Sequence, residues 1–209
     1  MIRRLIVLIV AVCTANAISA QRDMAKLLIE MPDSVVNYLN QSKRTELVDF
    51  YNMGVKAQTM NLLYCVTTLD SISDNYADIR LSESARMQIQ ILEEFNGDSV
   101  ICVAKTVFGQ EPETELAFYS TQWEPLKTDN FIDSIEQHEL MAKPDTMNAE
   151  DYSRLEALID PVMFEAEIIP QDFAIQFSLA TPFVSNDDKE RLKSILKSRK
   201  VKWDGERFK

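Results

Sequence analysis

Residues that could carry catalysis are few and lie far apart in the sequence. His138 is the sole histidine among 209 residues, so a Ser-His-Asp or Cys-His site would have to use it. Its surroundings, SIEQHELM, are polar and typical of a surface histidine. No serine lies in a G-x-S-x-G motif, and neither a Gly-rich phosphate loop nor a dinucleotide fingerprint is present. We therefore assign no catalytic and no cofactor-binding residue.

The acidic residues are the next source of chemistry. Asp74, Asp78, Asp129 and Asp133 come nearest to a calcium-like grouping, but they lack the D-x-[DN]-x-[DN]-G spacing. Zinc would need several cysteine or histidine ligands, and the chain supplies few of either. We assign no metal ligand. Carboxylates are plentiful, so a glycosidase-type acid pair stays open as a hypothesis.

Two cysteines, Cys65 and Cys102, lie beyond the N-terminal leader described below. In an oxidising compartment they could form a disulfide. Cys102 lies in the apolar run VICVAKTV, so a buried free thiol is the alternative.

An aromatic group lies near the end of one predicted strand: Phe118, Tyr119 and Trp123. Exposed together, these side chains would form a patch for a sugar or a protein. Packing in the core is the alternative.

A short triplet, Asp, then Ser or Thr, then an aliphatic residue or Met, occurs five times, whereas composition predicts about one. It resembles the O-glycosylation signal of exported Bacteroidales proteins. Local structure is the alternative, because Asp-Ser begins turns and helices well. The predicted modified residues are Ser34, Ser71, Ser99, Ser134 and Thr146.

Residues 1–20 have the three-part pattern of a secretory signal peptide. Arg3 and Arg4 precede the apolar run Leu5–Val12, and small residues follow at Ala15-Asn16-Ala17 and Ser19-Ala20. The apolar run is far shorter than the roughly 20 residues of a membrane-spanning helix. We expect cleavage and export to the periplasm, the cell surface or the medium, with no transmembrane segment in the cleaved chain.

The chain has a net charge of −11 at pH 7. Such an acidic surface repels phosphate backbones, which disfavours nucleic acid as a partner. After cleavage, residues 21–209 suit a single domain, with lobes at 21–126 and 145–209 as an alternative division.

The elements that must position these residues begin with helices. Asp23 is expected to cap a helix over MAKLLIEM, Asp33 or Ser34 a second over VVNYLN, and Ser42 a third that ends at Gly54.

Strands follow, because the hydrophobic pattern changes to period two. Met87, Ile89 and Ile91 alternate with Arg86, Gln88 and Gln90; Asn96-Gly97-Asp98 marks a turn, and SVICVAKTVFG predicts a central strand. This pattern predicts an antiparallel meander with one buried face.

The last third of the chain predicts a β-β-α-β tail. Asn148 begins a helix, and the strands MFEAEII and DFAIQFSLA follow it. Ser185 then caps another helix, and a small hairpin turns at Asp204-Gly205. The fold class is therefore α+β: N-terminal short helices, an antiparallel β-meander, then a β-β-α-β tail.

Several stretches together resemble a domain-of-unknown-function family of small exported proteins from gut Bacteroidales. They are DMAKLLIEMPDSVVNYL, DIRLSES, FYSTQWEPL, FSLATPF and WDGERF, and the resemblance covers nearly the whole chain after the leader. These motifs serve packing and turns. The resemblance implies a leader and an exported location, and it brings no functional residues with it.

Three functional hypotheses follow. The first is an exported, non-catalytic binding or accessory protein of the cell envelope, with a protein or glycan partner. The second is a carrier or sensor of a small apolar ligand held between the meander and the helices. The third is a hydrolase with a carboxylate pair.

Overall fold

The computed structural model describes residues 23–180 and 184–209, and the expected signal peptide at residues 1–20 lies outside them. The fold is α+β, as predicted. Its helices are α1 (Met24–Glu30), α2 (Gln41–Asn52), α3 (Ala149–Glu156) and α4 (Asn186–Lys193). Its strands are β1 (Gln58–Met60), β2 (Val66–Ile72), β3 (Tyr76–Ser82), β4 (Ala85–Glu93), β5 (Ser99–Phe108), β6 (Pro112–Ser120), β7 (Pro125–Leu126), β8 (Phe164–Ile169), β9 (Ala174–Leu179) and β10 (Arg199–Lys202).

The N-terminal helices begin at polar caps. The Asp23 carboxylate accepts a hydrogen bond from the Lys26 N–H at 3.0 Å, as the sequence predicts. The prediction of Ser42 as the cap of α2 is wrong. The Asn40 side chain accepts from the Lys43 N–H at 3.1 Å, so the helix already begins at Gln41.

The expected helix over VVNYLN is also wrong, because residues 33–39 form turns. The physical reason is the Arg44 guanidinium, which is buried between α1 and α2. It donates to the carbonyls of Met31 and Leu39, at the two ends of this segment. Asp33 is its ion-pair partner at 2.8 Å. Contacts to this one side chain thus shape the link between the two helices.

The first seven strands form an antiparallel sheet in the order β1-β2-β3-β4-β5-β6-β7. Each strand pairs with the next along the chain, so the predicted meander is confirmed. The central pair, β4 and β5, runs from Ala85↔Val107 to Glu93↔Ser99. The turn at Asn96-Gly97-Asp98 joins them, with Gly97 at a φ of 88°.

Both faces of the central strands are buried, which corrects the expectation of one buried face. Met87, Ile89 and Ile91 face α1 and α2 in one apolar cluster. Leu92 and Cys102 face the opposite side and join a second cluster with the three-stranded sheet β10-β9-β8. The large sheet is therefore a middle layer between helices and a smaller sheet.

Polar side chains join the two sheets. The Gln88 amide lies against Ile168 of β8: its oxygen accepts from the Ile168 N–H, and its nitrogen donates to the Ile168 carbonyl, both at 3.1 Å. Gln90 donates to the Pro170 carbonyl at 3.3 Å. These bonds satisfy backbone groups of β8, the outermost strand of the small sheet, and of the turn that follows it.

The C-terminal tail follows the predicted β-β-α-β order. Ser185 caps α4 by accepting from the Asp188 N–H at 3.1 Å. The final hairpin turns at Gly205, and Trp203 pairs with Phe208.

Candidate functional site

The loop between β1 and β2 displays apolar side chains to solvent. We call Leu62, Leu63 and Tyr64 the hairpin tip. Their exposed fractions are 53%, 61% and 86%. Met60 and Val66, which pair with each other below the tip, are also more than half exposed. A contiguous apolar surface of this kind marks interaction sites on soluble domains.

One buried residue, Asn61, holds the loop in place. Its side-chain oxygen accepts from the N–H groups of Leu63 and Cys65 at 2.9 and 3.1 Å. Its side-chain nitrogen donates to the Thr67 hydroxyl and the Leu81 carbonyl at 3.1 and 3.0 Å. All the hydrogen-bonding positions of the buried amide group are therefore oriented by the fold.

Tyr64 adopts a left-handed backbone conformation with a φ of 60°. This conformation is unfavourable for a non-glycine residue, by about 1–2 kcal/mol. The surrounding bonds enforce it: the Tyr64 N–H donates to the Asn61 carbonyl at 3.0 Å, and the Leu62 N–H donates to the Tyr38 carbonyl at 2.9 Å. The loop thus presents its apolar side chains in a fixed arrangement.

Sequence reasoning missed this site and both of its strands. The available signal was charge: residues 57–69 form a run of 13 uncharged residues in a chain with 26% charged residues. The run also lacks strict alternation, because Leu62, Leu63 and Tyr64 are consecutive. Hydrophobic residues in sequence are normally assigned to the core, and only the structure shows that these face solvent.

A cavity, which we call the ionic groove, is lined mainly by side chains of β2, β3 and β4. Its volume is about 490 Å³. The Arg86 guanidinium contacts Asp78 at 2.8 and 2.6 Å and Glu167 at 3.3 Å. Hydrogen bonds to Asp78 raise the pKa of Arg86, against the effect of burial. Arg80 pairs with Asp70 at 3.0 Å.

Asp70 and Asp78 of this groove thus face guanidinium groups. A carboxyl group that acts as a general acid instead needs an apolar environment, which raises its pKa so that it keeps its proton. The carboxylate-pair hydrolase gains no support from this geometry and stays a hypothesis.

Another cavity, which we call the β6–β8 pocket, is mainly apolar. It has a volume of about 320 Å³ and is formed by β6, β8, β9 and the segment 128–135. Its apolar wall consists of Leu116, Ile132, Ile135, Phe164, Ala166 and Phe177. Thr128, Asp133 and Ser134 also line it, and Asp133 forms an ion pair with Arg207.

The predicted aromatic patch does not form. Phe118 is buried and stacks on Phe131, with ring centroids 4.8 Å apart. Tyr119 lies on the opposite face of β6, beside Trp123 at 5.4 Å. The buried Trp123 indole donates to the Leu27 carbonyl at 3.1 Å. Adjacent strand residues point to opposite faces, which is why this group divides between two cores.

The structure also separates the two cysteines, and both are free thiols. Cys65 directly precedes β2, whereas Cys102 lies in β5, three strands away. Three strand spacings amount to about 14 Å, beyond the roughly 7 Å that a disulfide allows between Cα atoms. Burial raises the pKa of the Cys102 thiol.

The five predicted glycosylation residues occupy two settings. Ser34, Ser134 and Thr146 are exposed in turns or loops. Ser71 lies half-buried in β2, and Ser99 half-buried at the start of β5. Exposed loop positions suit a bulky glycan better than strand positions do. The modification itself stays a prediction.

The remaining chemically interesting residues do not come together. His138 is exposed in the 3₁₀ turn Gln137–Leu140. Asp74 lies in the β2–β3 turn and Asp129 in the 3₁₀ turn Thr128–Asn130. Within residues 23–180 and 184–209, no group of three or more His, Cys, Asp or Glu side chains is arranged to hold a metal.

Fold and site together define a layered α+β protein that displays a rigid apolar hairpin. The chain belongs to the family described as "Protein of unknown function (DUF3256)", whose model matches residues 15–208. The expected membership of a family of unknown function is thereby confirmed. A comparison with curated proteins finds no match.

A solved structure, of a domain of an uncharacterized protein from Porphyromonas gingivalis W83, is similar to this chain. The TM-score is 0.76 at 21% sequence identity, and the match covers 89% of this chain and 98% of the other. At this identity the likeness concerns the fold. Among the described residues, no helix is long and apolar enough to cross a membrane.

Proposed function

We propose that this chain is an exported, non-catalytic binding protein of the cell envelope, and that it docks a partner protein through the hairpin tip. The observation that carries the proposal is the fixed exposure of Leu62, Leu63 and Tyr64. An exposed tyrosine beside leucines has the composition of an interface anchor, in which a few side chains supply most of the affinity. Because Asn61 fixes the loop in advance, little conformational entropy is lost when it binds.

A protein partner fits this surface better than a polymer with a charged backbone. Residues 57–69 offer no charge for pairing with phosphates. The edge strand β1 is a poor site for strand addition, because it has only three residues. Side-chain docking is therefore the expected mode, rather than extension of the sheet.

Export rests on the leader pattern at residues 1–20. Peptide mass spectrometry on the chain purified from its own host tests this part of the proposal. We expect an N-terminus just after Ala17 or Ala20, with glycan mass first on Ser34, Ser134 or Thr146. An intact leader would contradict export.

A photo-crosslinking residue placed at position 64 tests binding in the native host. The matched control places the same residue at Phe95, which is 82% exposed and lies in the β4–β5 turn at the other end of the sheet. We expect one defined protein to crosslink at position 64 and not at 95. The purified partner should then bind the Leu63→Ser/Tyr64→Ser variant at least tenfold more weakly. Equal crosslinking at both positions would refute the docking role of the tip.

The β6–β8 pocket favours a second candidate function, carriage of a small apolar ligand. Its volume of about 320 Å³ lies at the low end of known ligand pockets, about 300–1,000 Å³. It lies between the meander and the small sheet, rather than between the meander and the helices as first expected. Native mass spectrometry of host-purified chain should then show a bound small molecule; bare polypeptide alone would count against this function.

A further inference from the structure

We propose that the protein that binds the hairpin tip also carries a basic side chain, which lies in a groove at the base of the tip. This inference rests on the proposed function and names the chemistry of the partner. It follows from the position of the groove and from an acid in it that no cation neutralises within the described part of the chain.

We call this cavity the basal groove, and its volume is about 310 Å³. Its lining residues include Tyr38, Leu81, Ala85, Lys105, Val107, Glu113 and Glu115. Two of these residues also hold the tip loop. The Tyr38 carbonyl accepts from the Leu62 N–H at 2.9 Å, and the Leu81 carbonyl accepts from the Asn61 side chain at 3.0 Å. A partner large enough to cover the tip therefore lies next to the groove as well.

The basal groove lies on the helix face of the sheet, beyond the part that the helices cover. Val103 of β5 is fully buried in the apolar cluster that includes α1 and α2. Side chains alternate along a strand, so Lys105 and Val107 point to the same side, where Val107 is 57% exposed. Glu113 and Glu115 of β6 pair with Val107 and Lys105. The groove thus combines an apolar floor with charged side chains.

Glu113 carries the uncompensated charge of the groove. The neighbouring acid, Glu115, pairs with Lys105 at 3.3 Å. Arg86, which also lines the groove, is bound to Asp78 at 2.8 and 2.6 Å. The Glu113 side chain is exposed and forms no ion pair or hydrogen bond within residues 23–180 and 184–209. A negative charge therefore stays open beside the apolar floor.

A lysine or arginine of the partner matches both properties. Its hydrocarbon stem can lie on Val107 while its charged end pairs with Glu113. An acidic side chain would meet Glu113, and both cations of the groove are already paired. The net charge of −11 acts in the same direction, since it attracts a basic protein and speeds association. Charge thus selects a basic partner, which apolar contact at the tip alone cannot do.

A second photo-crosslinking residue, placed at position 107, locates the partner relative to the groove. We expect it to capture the same protein as position 64. That protein is then purified, and its binding to the native chain is measured at salt concentrations from about 0.05 to 0.5 M. Binding should weaken roughly tenfold across this range, because salt screens the attraction between opposite charges.

Glu113→Lys tests the groove itself. Reversing this charge should weaken binding of the purified partner roughly tenfold and remove much of the salt dependence. Glu124→Lys is the matched control, because it makes the same change in net charge on an exposed residue just beyond the other end of β6. A charge roughly 24 Å away along the strand is largely screened, so this control should bind within about twofold of the native chain.

Circular dichroism should show that both variants are folded. If Glu113→Lys is not, Glu113→Gln removes the charge, keeps the shape and should weaken binding roughly threefold. A partner captured at position 64 but not at 107, or equal affinities for Glu113→Lys and Glu124→Lys, would overturn the basic contact and leave the proposed docking function standing. If position 64 captures no protein, the proposed function fails, and this inference fails with it.

Discussion

The two faces of strand β4 are both buried, yet they are built from different chemistry. Met87, Ile89 and Ile91 pack against helices in an apolar layer. On the other face, Gln88 and Gln90 are equally inaccessible, with exposed fractions of 2% and 1%. A polar residue in an alternating strand can therefore face a second sheet as well as solvent.

Gln88 is buried in this way because of the position of the strand that it contacts. β8 is the outermost strand of the small sheet, so one side of its backbone has no neighbouring strand. A glutamine side chain carries the same donor and acceptor as a peptide group. Gln88 therefore takes the place of a neighbouring strand for Ile168. Directional bonds fix where the small sheet lies, whereas the apolar contacts to the helices are less directional.

Disrupting the packing on the apolar face of β4 should have the largest effect on stability. Ile89→Ala removes a fully buried side chain and leaves a cavity between β4 and the helices. We expect the free energy of unfolding to fall by about 2–5 kcal/mol. Urea denaturation followed by circular dichroism measures it. A loss below about 1 kcal/mol would mean that the helices repack and that this face is less rigid than the polar one.

Removing hydrogen bonds on the polar face of β4 should have the second largest effect on stability. Gln88→Leu keeps a similar side-chain size but leaves the Ile168 N–H and C=O without their partner. Each buried unsatisfied group costs about 1–3 kcal/mol, and burial of the apolar leucine side chain offsets part of the sum, so we expect a loss of about 2–3 kcal/mol in the free energy of unfolding. Gln58→Leu, on the exposed edge strand β1, is the matched control and should change little.

Amide hydrogen exchange distinguishes the two faces further. In Gln88→Leu, the Ile168 amide should exchange faster than in the native chain, while amides of α1 and α2 keep their protection up to the lowered global stability. Unchanged protection at Ile168 would show that water or another group replaces the glutamine, and that Gln88 does not determine how the small sheet is held.

Sequence patterns predicted the local structure where one residue type decides it. Asn148 and Ser185 cap α3 and α4 as expected, because their side chains bond nearby backbone. The alternation of apolar and polar residues likewise predicted strand β4 and its apolar face. What Gln88 faces depends on a strand 80 residues away, and no local pattern carries that information.

The sequence predicts the candidate site less well than it predicts the fold. Leu62, Leu63 and Tyr64 look like core residues in sequence, since large apolar side chains are usually buried. Their exposure follows from the Asn61 amide and from Tyr38, which together hold the loop open. Only the absence of charge from residues 57–69 hints that this segment differs from its surroundings.

Removing a weaker hydrogen bond between the sheets should lower the free energy of unfolding by a smaller amount. The Thr114 hydroxyl accepts from the Ala166 N–H at 3.0 Å and also bonds Thr106 at 2.9 Å. Thr114→Val keeps the shape of the side chain and removes both bonds. We expect a loss of about 1 kcal/mol in the free energy of unfolding, because Thr114 is only half-buried. A loss equal to that of Gln88→Leu would place most of the energy between the sheets at the β6 side.

The smallest effect concerns the turn that follows the small sheet, where the polar contacts are open to water. A hydrogen bond from the Lys209 ammonium, and further ones from the N–H groups of Arg207 and Glu206, lower the pKa of Asp204 to about 2. The ordinary aspartate pKa is about 3.9. Because the pKa is lowered on folding, the stabilisation is complete above about pH 4 and is lost as the pH falls through about 2.

Asp204→Asn tests this prediction, since the amide oxygen can still accept the two backbone bonds but carries no charge. We expect the variant to melt slightly below the native chain at pH 6, with the gap closing as the pH falls from 4 toward 2. The Asp204 side chain is 34% exposed and that of Lys209 is 63% exposed, so solvent screens their ion pair in part, and raising the salt concentration should narrow the gap at pH 6 as well. A gap that is independent of pH and salt would mean that the backbone bonds alone hold this turn, and that polar contacts stabilise the small sheet only where they are buried, as at Gln88.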